Sequence, residues 1–176
     1  VKLAGKGLKT AKAHLRYIQR DGVSRTGEPG RLYNASAEAV DGDAFLDRSK
    51  DDRHQFRFIV SAEDAADLSD LKAYTRDLMA QMERDLATKV DWVAVDHFNT
   101  DNPHTHIVVR GKADDGQDLV IARDYMSSGF RERAMELATA ELGPRQDHEI
   151  QQALRREMSA DHFTSLDRRL LHMADK

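Results

Sequence analysis

Residues 92–111, WVAVDHFNTDNPHTHIVVRG, constrain this chain more than any other stretch. Two β-rich runs, WVAVDHF and THIVVRG, flank the turn formers N, T, D, N and P, a pattern that predicts an antiparallel hairpin. Side chains alternate between faces along a strand. Val93, Val95 and His97 therefore share one face of the first run, and His104, His106, Val108 and Arg110 share one face of the second. Folded back on itself, the hairpin brings together three of the chain's eight histidines.

Two histidines at i and i+2 are ordinarily solvated polar residues. The third, in phase across the turn, predicts a metal site at His97, His104 and His106. Neutral imidazole is the commonest nitrogen ligand for a divalent metal, and three of them leave coordination positions open for water or substrate. His14, His54, His148, His162 and His172 have no comparable support. By strand alternation Asp96 faces away from His97.

The rest of the chain predicts helices packed on an antiparallel sheet. Residues 1–3 read as the end of a first strand, and 7–20 as a helix with Leu8, Ala11, Leu15 and Ile18 as its apolar stripe. A Gly- and Pro-bearing loop, DGVSRTGEPGRLYNAS, continues with an acidic stretch to Arg53. Its length suggests a segment that grips a substrate. HQFRFIVS (54–61) alternates as a strand with Phe56, Phe58 and Val60 on one face. Ser61, with Asp64 three residues on, caps a long following helix. DLVIARDYMSSGFRERAMELATAELG predicts a short strand and a helix stopped by Gly143 and Pro144, and HEIQQALRREMSADHFTSLDRRLLHM adds further helix. At 176 residues this is one α+β domain, 1–176. Because it opens on Val1, it is expected to be a fragment of a longer protein.

The chain has no cysteine, which removes disulfides and thiolate metal sites and fits a cytoplasmic protein. No apolar run approaches the roughly 20 residues of a membrane span, so no membrane insertion is expected. A net charge of −4 argues against coating nucleic acid by bulk attraction. Residues 1–31 depart from that average, with eight Lys and Arg against Asp21 and Glu28, which leaves this segment at +6. Such a segment is either a solvated helix face or a track for phosphates.

Three histidines on a metal serve hydrolysis, oxygen chemistry or phosphoryl transfer alike, so the nucleophile must discriminate. No Ser-His-Asp or cysteine-based constellation is present. Of four tyrosines, Tyr17 lies in the basic segment, with Arg16 and Arg20 beside it and His14 and Asp21 three or four residues away on the predicted helix. Lys12, Arg16 and Arg20 are the candidate DNA-binding residues. Tyr33, Tyr74 and Tyr125 are expected to pack or to lie on the surface.

HLRYIQRDG together with DHFNTDNPHTHIVV resembles the motif pair of the relaxases of conjugative plasmids and integrative elements, which are tyrosine HUH endonucleases. FRFIVSAEDA, WVAVDHF, GKADDGQDLVIARDY and LGPRQDHEIQQALRREM extend the likeness over most of the chain, toward the branch of the Agrobacterium T-DNA nicking protein. One position departs from the family pattern: Thr105 stands between the two histidines where a hydrophobic residue is usual.

The resemblance implies a sheet of about five antiparallel strands flanked by helices, and a Mg2+- or Mn2+-dependent nicking domain. It implies that Tyr17 attacks a single-stranded DNA phosphate at a transfer origin, giving a 5′-phosphotyrosine and a free 3′-hydroxyl in a reversible reaction. Asp96 and Asp101 become candidates to orient a ligand histidine or take the tyrosine proton. Expected partners are relaxosome accessory proteins and a type IV secretion coupling protein. The expected location is the donor cytoplasm, with export to a recipient while joined to DNA. Two alternatives stand beside this: a three-histidine hydrolase with no covalent intermediate, and a non-catalytic DNA-binding module with a structural metal.

Overall fold

The computed structural model describes residues 7–61, 68, 70–100, 102–143 and 155. In chain order these form α1 (Gly7–Ile18), α2 (Gly42–Arg48), β1 (Gln55–Val60), α3 (Leu71–Leu86), β2 (Val90–His97), β3 (His104–Ala113), a π-helical turn (Tyr125–Gly129) and α4 (Phe130–Leu142). All of these elements belong to one compact unit, Val1–Leu142. A second unit, Gly143–Lys176, contributes only Gly143 and Arg155 to the described residues.

The hairpin forms as its alternation predicts. β2 and β3 pair antiparallel with His97 opposite His104 and Val95 opposite His106. β1 takes the other edge of β3, with Ile59 opposite His106 and Arg57 opposite Val108. The sheet order is β1-β3-β2. On the outer edge of β2, Tyr33 exchanges both backbone hydrogen bonds with Ala94, each 2.9 Å.

Among the described residues the sheet has three strands where about five were expected. The first strand expected at 1–3 lies outside the described residues. The short strand expected near 118–122 is reduced to a bridge between Lys112 and Asp118 and a Leu119 N–H bond to the Gly111 carbonyl. The chain leaves the sheet there and turns into the π-helical segment.

Helices cover both faces of the sheet at the centres of β2 and β3, so Trp92–Val95 and Ile107–Val109 are apolar on both faces. On one face Phe58, Val60, Trp92, Ala94, Ile107 and Val109 pack with α3 residues such as Leu78, Met79 and Met82, and with Phe130 of α4. On the other, Val93, Val95 and Val108 meet Ala11, Leu15 and Ile18 of α1 and Phe45 and Leu46 of α2. Burying Leu15 and Ile18 contributes roughly 3–6 kcal/mol toward docking α1, and this fixes the helix that carries Tyr17.

The helix boundaries differ from the expected ones. α1 ends at Ile18 and the chain turns at Asp21–Gly22, so Asp21 does not share a helical face with Tyr17. α3 begins at Leu71, with the Asp70 carboxylate accepting from the Lys72 and Ala73 amides at 2.9 and 3.1 Å. Leu68 and Asp70 are non-helical, while Asp64 of the expected cap lies outside the described residues. The helices expected after Gly143 lie outside them as well.

The long segment 21–53 is packed rather than loose. Val23, Leu32, Tyr33, Phe45 and Leu46 are all buried. Gly30 allows the closest approach: a Cβ there would lie 2.7 Å from Val95 Cγ1 and 2.9 Å from Val23 Cγ2. Only glycine lets this backbone lie directly on the face of β2 that carries His97.

Candidate metal centre and the flanking tyrosine

β2 and β3 deliver the three imidazoles to one end of the hairpin. Ring centroids are 4.4 Å apart for His97 and His106, 5.1 Å for His104 and His106, and 5.2 Å for His97 and His104. One ring nitrogen from each lies within 4.8 Å of the others, an arrangement that could hold a metal ion.

The hydrogen bonds decide which nitrogens are available. His97 is fully buried, and its Nε2 donates to the Ile18 carbonyl at 2.7 Å. Nδ1 is left with a lone pair and no partner among the described residues. A buried polar atom without a partner costs about 1–3 kcal/mol, and a metal at this point would remove that cost. His104 Nδ1 donates to the Asn102 carbonyl at 3.1 Å, which leaves Nε2 free to coordinate. Bonds of this kind from the second ring nitrogen fix the tautomer and orientation of a ligating histidine.

Electrostatics favour the same role. Burial pushes the His106 imidazole down to about 4, helped by His97, His104, His14 and Arg20. Burial also lowers His97. Both rings are therefore neutral near pH 7, the form that binds a metal.

Asp96 occupies the opposite face of the hairpin, as alternation requires. Its Oδ1 accepts from Tyr33 Oη and from Thr105 Oγ1, both at 2.7 Å. Thr75 Oγ1 donates in turn to Thr105 Oγ1 at 3.2 Å. The carboxylate considered for orienting a ligand histidine is thus engaged elsewhere, and Asp101 lies outside the described residues. The network also accounts for Thr105: fully buried, it bonds on both sides where an aliphatic residue would leave Asp96 and Thr75 short of a partner.

Tyr17 differs from the other three tyrosines. It is 58% exposed on α1, next in sequence to the Ile18 carbonyl that holds His97. The Arg20 guanidinium lies 4.5 Å from its ring centroid, and Nη1 donates to the Tyr17 carbonyl at 3.2 Å. Tyr33 donates to Asp96 and is pushed well above the ordinary phenol range by burial and by that carboxylate. Tyr74 donates to the Ala134 carbonyl at 2.7 Å, and burial raises it to about 12. Tyr125 donates to Asp85 at 3.0 Å and is raised by burial and by that partner.

The basic residues divide. Arg16 is exposed and makes no ion pair among the described residues, and Arg20 stands at the site. Lys12 pairs with Asp43 of α2 at 2.7 Å, so its charge is partly neutralised. The sequence leaves His14 out of the metal set but places it beside Tyr17 on the helix. Its ring lies 6.4 Å from that of His106, and burial followed by the charge of Arg57 lowers its pKa. The available signal was its place one helical turn before Tyr17.

Among the described residues no helix is long and apolar enough to cross a membrane. Comparison with protein families, curated proteins and solved structures finds no match to this chain.

Proposed function

We propose that this chain is a metal-dependent nicking and rejoining enzyme for single-stranded DNA, with Tyr17 as nucleophile. The observation that carries this is the bond from His97 Nε2 to Ile18, which joins the three-histidine cluster to the helix residue adjacent to an exposed tyrosine. The resemblance to conjugative relaxases supplies the substrate class, a strand at a transfer origin, and with it the relaxosome and secretion partners. It also supplies the two further strands of the family's sheet.

His97 through Nδ1, His104 through Nε2 and His106 would hold the ion. An all-imidazole set suits Mn2+ better than Mg2+, which prefers oxygen ligands. When bound, the ion supplies Lewis-acid polarisation of a non-bridging phosphate oxygen.

The chain's own residues do the rest. Arg20, its guanidinium 4.5 Å from the Tyr17 ring centroid, and the exposed Arg16 attract the phosphodiester backbone toward the phenol. The Tyr17 oxygen forms a bond to phosphorus as the bond from phosphorus to the 3′ oxygen breaks. The phenolic proton leaves and the departing 3′ oxygen is protonated, so the products are a 5′-phosphotyrosine and a 3′-hydroxyl. The ester bond is conserved, and attack by a 3′-hydroxyl reverses the step. His14, one turn away, is the nearest neutral base on the same helix.

The test is to incubate the protein and Mn2+ with end-labelled single strands tiling the parent element's transfer origin, then run a denaturing gel and map adduct peptides. The expected result is a covalent adduct on Tyr17, absent from Tyr17→Phe, which still binds metal and DNA. Cleavage without an adduct would support the hydrolase alternative. Binding without cleavage would support a DNA-binding module.

A further inference from the structure

The face of the sheet that bears the histidines continues past them onto β1. Ile59 sits directly opposite His106 and is 66% exposed, so α1 does not cover this part of the face. Two residues along, Arg57 pairs with Val108, which places it on the same face as His106 and diagonal to it across the ladder. Diagonal neighbours on one face are about 7–8 Å apart, within reach of a long side chain.

Arg57 is half-buried, and burial lowers its pKa. No carboxylate among the described residues pairs with it, in contrast to Arg48, Arg76, Arg110 and Arg133. Among the described residues its one hydrogen-bond partner is neutral. With the Gln55 amide oxygen turned toward the guanidinium, that oxygen accepts from Nε and Nη2 at 2.7 Å each. Gln55 is itself buried. A guanidinium has five N–H donors in a rigid fork, so three remain unused. Partly desolvating a cation without a counter-charge costs free energy, and a buried amide that fixes its orientation preserves that uncompensated charge. The His14 imidazole, lowered first by burial and then by the charge of Arg57, adds no competing negative charge.

We infer that Arg57 is an anion subsite adjoining the three histidines, which takes a phosphate of the bound strand in the fork left open by Gln55. This rests on the proposed phosphodiester substrate and adds a residue to it. Arginine suits the task because its fork matches two phosphate oxygens at once, whereas lysine offers a point charge. Seated next to the metal-facing imidazoles, the phosphate held here is the scissile one or its immediate neighbour. Arg57 is accordingly a positioning residue, distinct from the basic residues of α1.

The test compares the wild-type chain, Arg57→Gln and Arg57→Lys, all loaded with Mn2+. The first measurement is binding of single-stranded oligothymidylate over a salt series. Arg57→Gln should flatten the slope of log K against log salt by about 0.7, the contribution of one phosphate contact on a single strand. Arg57→Lys should keep the slope. Mn2+ affinity by calorimetry should be the same in all three, which shows that the variants are folded and the histidines intact. The second measurement is nicking of the origin strand, which should fall about 10²–10³-fold in Arg57→Gln, the usual loss when one donor to a developing oxyanion is removed. In Arg57→Lys nicking should fall at least tenfold, because the fork is gone. An unchanged slope together with unchanged nicking would overturn the subsite. The slope needs no cleavage, so a wild-type chain that binds strands without cutting them would refute the parent function while an altered slope still upheld the subsite.

Discussion

His97 donates from Nε2 to the carbonyl of Ile18 across 2.7 Å, and this one bond orients a buried imidazole and ties the histidine hairpin to α1. With Nε2 committed to Ile18, the nitrogen left to ligate is Nδ1, which has no hydrogen-bond partner among the described residues.

This arrangement predicts metal-linked stability. At a free Mn2+ concentration about a hundredfold above Kd, binding should stabilise the native state by about 2.7 kcal/mol and raise the thermal midpoint accordingly. His97→Gln can still offer an amide N–H to Ile18 but has no imidazole, so it should fold and lose the Mn2+-induced shift. The His104→Ala, His106→Ala double variant should lose it as well. Differential scanning fluorimetry with and without Mn2+ decides the matter: shifts equal to wild type in both variants would remove the metal site.

The basic residues of α1 should separate in their salt dependence. Lys12 is drawn toward α2 by Asp43 at 2.7 Å, whereas Arg16, whose charge Asp43 feels more weakly, and Arg20 make no ion pair among the described residues. Arg16→Ala combined with Arg20→Ala should reduce the slope for single-stranded DNA by about 1.4, at about 0.7 per phosphate contact. Lys12→Ala should leave the slope nearly unchanged. Fluorescence anisotropy over a salt series measures both. An equal loss from Lys12→Ala would mean that the strand displaces Asp43, and no loss from the arginine pair would place the strand off α1.

The features legible in the sequence are those written in a local period. The two-residue alternation of β2 and β3 set the register that puts His97 opposite His104, and the stripe Ala11, Leu15, Ile18 marked the docked face of α1. Features closed by distant partners were not legible. Tyr33 meets Asp96 across 63 residues, and no local pattern announces that bond. Lys12 appeared to be one of a run of free cations because α2, which supplies Asp43, lay inside what looked like an acidic loop. Ser61 and Asp70 both suit a helix cap, and the cap at Asp70 is the one bonded to amide donors of a described helix. The exposed run at Arg57 and Ile59 became visible only once the pairing of β1 with β3 put it beside His106.

The acid stability of the metal-free protein should carry the signature of His106. Its pKa is about 4 in the folded chain against 6.5 for an unperturbed histidine, so between these values the unfolded state binds the proton and the folded state does not. A depressed folded pKa contributes stability in full above 6.5, and that contribution is lost as the pH falls toward 4. His97, also lowered by burial, acts in the same direction. Urea midpoints of the metal-free chain should therefore decline between pH 6.5 and 4. His106→Gln, which does not titrate, should flatten the decline in part, with the His97 contribution remaining. Because neutral imidazole is the ligand form, Mn2+ should be released over the same interval, and Mn2+ should steepen the wild-type decline but not that of the variant. If His106→Gln and wild type lose stability in parallel from pH 6.5 to 4, His106 is not held neutral by its burial and its neighbours, and the acid sensitivity belongs to other groups.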